Sequence, residues 1–154
     1  MAKITKTTYQ KSSMFHECEH PDFEYYAKYL IAPGVPDFKG ALYVIPPGKK
    51  NYPYHWHTSN QEAYYIIKGT GELRTPKGWQ KVGPGDFVTF AAGEEGAHQM
   101  RNPDEKEDLV YFDIDTKNDL DVCVYPDSHK VGVWGKKINR IFDFNQTKEY
   151  YDDE

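Results

Sequence analysis

From Glu62 to Asp115 the chain is cut into short β-prone runs by glycine and proline, and none of these runs is long enough for a convincing helix. Ala63-Tyr64-Tyr65-Ile66-Ile67 ends at Gly69-Thr70-Gly71, and Glu72-Leu73-Arg74-Thr75 ends at Pro76-Lys77-Gly78. Trp79 to Val82 ends at Gly83-Pro84-Gly85-Asp86, followed by Phe87-Val88-Thr89-Phe90 and a loop from Ala92 to Gly96. The charged turn Asn102 to Glu107 precedes Leu109 to Asp115, where Asp113 shares an inward-looking face with Leu109 and Tyr111. Upstream, Ala41 to Ile45 is a strand closed by Pro46-Pro47-Gly48. Residues 23–32 read as a strand or a short helix, broken by Pro33-Gly34. About seven or eight short strands at this spacing predict an all-β sandwich or jelly roll.

A length of 154 residues fits one domain that buries about 70% of its unfolded surface without disulfides. Cys18 and Cys123 are read as free thiols. The organisation expected is an N-terminal arm over 1–22, a barrel over 23–125 and an extension over 126–154 that packs on the barrel or on a partner subunit.

Three histidines and one carboxylate punctuate this pattern. His55 and His57 flank Trp56, so in an extended chain both project to one side. Thr58 to Gln61 has turn composition, and Glu62 opens the returning strand beside the pair. His98 and Met100 share a face of a further short strand over 97–101. Three imidazoles and one carboxylate form an N3O donor set that suits Mn, Fe, Ni, Cu or Zn, and a set without thiolates is not that of a closed structural zinc site. Tyr52 and Tyr54 either line the pocket mouth or pack on a neighbouring strand.

This arrangement resembles the cupin superfamily over roughly residues 40–115. The first motif reads Gly48, His55-Trp56-His57, Glu62, Gly69, and the second reads Gly85, Ala91-Ala92-Gly93, His98, Asn102. Gly48 lies one residue further from the first histidine than usual, Ala91 replaces the usual proline, and the interval from Gly93 to His98 is two residues longer. The resemblance implies a cupin-type jelly-roll barrel, the double-stranded β-helix. It also implies that His55, His57, Glu62 and His98 hold one divalent transition metal, Mn, Fe, Ni or Zn. The acid or base of a reaction is not identified.

Other chemistry is weaker. His16-Glu17-Cys18-Glu19-His20 matches the His-Glu-x-x-His zinc motif, but Pro21 pushes His20 out of the helical region that the motif needs. His129 reads as a loop histidine. A net charge of −5 without a basic cluster argues against nucleic-acid binding. No apolar run approaches a membrane span, and no secretory segment follows Met1, so a cytoplasmic protein is expected. The expected function is a metal-dependent enzyme acting on a small organic acid, sugar or related molecule. The alternatives are a non-catalytic binder or sensor and a structural domain stiffened by its metal. A homodimer is expected because jelly rolls expose sheet edges.

Overall fold

A computed structural model describes residues 6–31 and 37–153. The turn expected at Pro33-Gly34 lies outside them. Thirteen strands and three short 3-10 turns are present among the described residues. The strands are β1 (Phe15–His20), β2 (Phe23–Tyr29), β3 (Phe38–Ile45), β4 (Trp56–His57), β5 (Glu62–Lys68), β6 (Gly71–Thr75) and β7 (Gly78–Val82). They continue as β8 (Phe87–Phe90), β9 (Gln99–Arg101), β10 (Leu109–Thr116), β11 (Leu120–Tyr125), β12 (Lys130–Gly135) and β13 (Asn139–Asp143). Every pairing between them is antiparallel.

Three sheets form, in the orders β1-β2-β3-β10-β5-β8, β13-β12-β11-β4 and β7-β6-β9. The jelly-roll expectation holds, with more strands than the sequence pattern suggests. Residues 15–20, read as part of an arm, are an edge strand of the largest sheet, and 23–29 are strand rather than helix. β12 and β13 continue the second sheet by hydrogen bonding to β11 and to each other. The apolar side chains Ile141 and Phe142 of β13 remain exposed. No described helix is long and apolar enough to cross a membrane.

The register of the central strands grades the interior from apolar to acidic. β10 alternates buried and more exposed positions, which puts Leu109, Tyr111, Asp113 and Asp115 on one inward face. Their partners on β3 are Ile45, Tyr43, Ala41 and Lys39 in that order. On the other side, β5 sets Ile66 beside Tyr111, Tyr64 beside Asp113 and Glu62 beside Asp115. At the apolar end Ile45, Ile66, Leu73, Met100 and Leu109 are fully buried. Each aliphatic side chain buried in this way stabilises the fold by about 1.5–3 kcal/mol. In the middle Tyr43 stacks on Tyr111 with ring centroids 5.3 Å apart, and Tyr64 packs on Tyr111 at 4.8 Å. These aromatic rings carry apolar packing up to the level where polar groups begin.

The motif glycine Gly69 closes β5 with φ +81°, and a Cβ there would stand 2.4 Å from the Asp108 carbonyl oxygen. Only glycine satisfies both constraints without strain. Asn102 is buried and donates from Nδ2 to the carbonyls of Ile45 and Glu107, while its Oδ1 accepts from the Asp104 N–H. It ties three chain segments together at the apolar end.

Candidate metal centre

The structure brings His55, His57, Glu62 and His98 together at the acidic end of the barrel. His57 lies on β4, which pairs with β11, and His55 precedes it. Glu62 begins β5, and His98 stands immediately before β9 rather than within a longer strand. Glu62 is the hub. His57 Nε2 lies 3.6 Å from Glu62 Oε1, while His55 Nε2 and His98 Nε2 lie 4.0 Å and 3.0 Å from Glu62 Oε2.

The opposite ring nitrogens explain this orientation. His55 Nδ1 is 2.8 Å from the Pro53 carbonyl, and His98 Nδ1 is 2.9 Å from the Gly96 carbonyl. His57 Nδ1 is 2.5 Å from Asp121 Oδ2. A carbonyl or carboxylate oxygen only accepts, so each Nδ1 carries the hydrogen and each Nε2 presents a lone pair to the site. The Tyr64 hydroxyl lies 3.1 Å from His98 Nε2. Glu62 Oε2 is buried and has no hydrogen-bond donor among the described residues. Nitrogen lone pairs gathered around an unsatisfied carboxylate oxygen fit a cation, and Nδ1–H bonds to oxygen are the support that metal-bound imidazoles need.

The electrostatics agree at His55. Burial, reinforced by the neighbouring imidazoles of His98 and His57, lowers the His55 pKa to about 3 and keeps its ring neutral. At His57 burial works the same way but is outweighed by Asp121 and Glu62, and the pKa is raised. Asp121 also accepts from the Ser59 and Asn60 N–H groups through Oδ1, so one buried carboxylate orients His57 and closes the following turn.

A cavity of about 180 Å³ opens from this cluster, lined by His55, His57 and Glu62 together with Lys39, Asp113 and Asp115, among others. Tyr52 lines it and shares a 3.0 Å hydroxyl contact with Tyr43, whereas Tyr54 is a packing residue under the Arg74 guanidinium. The lengthened interval before His98 contains a 3-10 turn over Glu94–Gly96, and no described residue of 93–97 lines the cavity.

Cys123 also borders the site. One ligand atom each from His55, His57 and Cys123 lies within 4.8 Å of the others. Burial pushes the thiol pKa up to about 12, so it stays protonated at neutral pH. Asp121, Cys123 and Tyr125 alternate along β11, as do Lys39, Ala41 and Tyr43 along β3. That period-two spacing puts each set on one face of its strand, but only the pairing of β11 with β4 brings Asp121 and Cys123 to the site. His16 lies on the edge strand β1, stacked on Tyr26 and paired with Glu24, and His129 is exposed with φ 50°. Neither joins the cluster.

The jelly-roll barrel and its inward three-histidine, one-carboxylate set match the arrangement of the two sequence motifs. Residues 41–115 match the family model described as Cupin domain, and this segment is a cupin domain. No curated protein sequence matches it. Among solved structures, a protein from Acidithiobacillus ferrooxidans provisionally named a sugar phosphate isomerase is 28% identical. The match covers 92% of this chain and 94% of that one, with a TM-score of 0.80. A sugar phosphate isomerase of the cupin superfamily from Silicibacter pomeroyi is 18% identical over 96% of this chain and 98% of that one, with a TM-score of 0.82. A predicted oxalate decarboxylase from Thermotoga maritima shares the fold at 18% identity. It covers 74% of this chain and 100% of that one, with a TM-score of 0.64.

Proposed function

We propose that this protein is a metal-dependent isomerase-type enzyme of a small phosphorylated sugar or a related hydroxy-carbonyl compound, with His55, His57, Glu62 and His98 as the metal ligands. The observation that carries the reading is the donor set itself: three outward-fixed Nδ1–H groups leave Nε2 atoms turned toward Glu62 at the wall of a cavity. A closed structural site has no use for such a cavity.

A divalent ion held there supplies Lewis acidity toward a carbonyl or hydroxyl oxygen. The chain supplies the rest. Lys39, Asp113 and Asp115 bring titratable groups into the same cavity, as proton transfer requires. The 3.0 Å contact between the Tyr43 and Tyr52 hydroxyls adds groups that both donate and accept. A second cavity of about 370 Å³ shares Lys39 and Trp134 with the first and adds Lys117 and Lys136. Lys39 and Lys136 already pair with Asp115 and Asp119, and Lys117 is the ammonium group that supports a phosphate tail there, in keeping with the substrate class named for two of the relatives.

The test joins metal content to turnover. Protein purified untagged and without chelators is analysed by mass spectrometry for metal, beside a His55→Ala/His57→Ala control. Each is incubated with aldose phosphates of different lengths and followed by NMR for the ketose form. One equivalent of metal and turnover in the wild type, both lost in the control, support the reading. Metal retained by the control, or a loaded wild type that converts no aldose phosphate, overturns it.

A further inference from the structure

Two oxygens at the acidic end of the barrel have no donor. Asp113 and Asp115 are 5% and 6% exposed, and Oδ1 of each is buried without a hydrogen-bond partner among the described residues. Lys39 Nζ lies 2.8 Å from the other oxygen of Asp115, Oδ2, so it satisfies one side of that carboxylate only. Both aspartates line the cavity that holds His55, His57 and Glu62. One oxygen each from Glu62, Asp113 and Asp115 lies within 4.8 Å of the others. Buried carboxylate oxygens are rarely left alone in folded proteins, so two that face one cavity point to a ligand that brings donors.

We infer that Asp113 and Asp115 form a hydroxyl-reading subsite that binds O–H groups of a polyhydroxylated substrate beside the metal centre and selects sugars over dicarboxylic acids. The inference rests on the proposed function of the same site.

The chemistry of the two oxygens carries the selection. Whichever of them holds a proton, at least one remains an acceptor. A hydroxyl donates to it and still accepts from a neighbour. A dicarboxylate only accepts, and would set oxygen against oxygen. A site built around buried polar groups rejects an analogue that lacks the matching hydroxyl, because those groups are then left unpaired. The competing occupant is a second divalent ion on the three carboxylates, beside the cation that Lys39 already provides.

The experiment is calorimetric titration of the manganese-loaded protein with ribose 5-phosphate, 2-deoxyribose 5-phosphate and succinate, repeated on Asp113→Leu and Asp115→Asn. Circular dichroism and metal analysis accompany each sample. Ribose 5-phosphate is expected to bind the wild type more tightly than succinate, and Asp113→Leu to weaken it about tenfold with metal content unchanged. Asp115→Asn keeps the side-chain shape and gives the same comparison should Asp113→Leu fail to fold. The inference is overturned by unchanged affinity in a folded variant, by succinate binding more tightly, or by no pentose phosphate bound at millimolar concentration. A second equivalent of manganese lost in the variants also overturns it and assigns the oxygens to a cation. A wild type without bound metal overturns the metal-dependent reading instead, and the same titrations on that protein still decide the subsite.

Discussion

His55 and His98 exchange a pair of backbone hydrogen bonds, His55 N–H to the His98 carbonyl at 3.1 Å and His98 N–H to the His55 carbonyl at 2.8 Å, and their rings stand 4.7 Å apart. This isolated bridge joins two distant segments through main-chain atoms. The placement of the two imidazoles therefore has main-chain support.

His98→Ala is expected to lose bound metal and keep the fold. The side chain is 1% exposed and stacks on Phe90 at 3.7 Å, so its removal costs packing of about 1–3 kcal/mol. The backbone bridge survives that loss. Metal analysis and far-ultraviolet circular dichroism read the two effects separately. A variant that unfolds would favour a structural role for the site, and one that keeps a full equivalent of metal would remove His98 from the ligand set.

Asp121→Asn is expected to weaken metal binding by about 10–100-fold while leaving all four ligands in place. Asp121 takes the His57 Nδ1 hydrogen with one oxygen and two turn N–H groups with the other. An amide has one acceptor oxygen for these two tasks. Competition titration with a chelator gives the ratio of affinities, and equal affinities would reduce Asp121 to a turn residue.

The convergence of His55, His57, Glu62 and His98 is legible in sequence because side-chain direction in extended chains follows a period of two and glycines mark the reversals. The inward face of β10 is legible for the same reason, down to Asp113. Asp121 is not, because its importance comes from the pairing of β11 with β4, a contact between residues 64 positions apart. Cys123 stands far from the ligands in sequence and is brought beside them by that same pairing. Strand existence survives in local composition, whereas neighbour identity is set by long-range register. The strand β1 shows the limit from the other side: its sequence is polar, its residues are nearly all exposed, and only pairing with β2 makes it a strand.

Gly69→Ala is expected to destabilise the protein by about 2 kcal/mol or more. The backbone there has φ +81°, and the added methyl meets a backbone oxygen at 2.4 Å that no rotamer change can move. Gly83→Ala is the control, since a Cβ at that position meets nothing within 4 Å. Urea unfolding of both variants separates the cases. Similar midpoints for the two would show that the Gly69 turn relaxes without cost.

The two cysteines should differ in reactivity because their surroundings differ. Cys18 is exposed on β1, while Cys123 is buried and its thiol pKa is raised to about 12 by burial. At mildly alkaline pH a thiol reagent is expected to modify one cysteine in the native protein and the second only after unfolding. The same shift makes a statement about stability. A thiol whose folded pKa lies above its unfolded value binds its proton more tightly in the folded state, so its contribution is full below about 8.5 and is lost as pH rises toward 12. Cys123→Ala should therefore flatten the alkaline decline in unfolding free energy relative to the wild type, and Cys18→Ala should leave that decline as it is. Equal rates of modification at the two thiols in the native protein, or an alkaline decline untouched by Cys123→Ala, would show that the interior beside His55 and His57 is open to water.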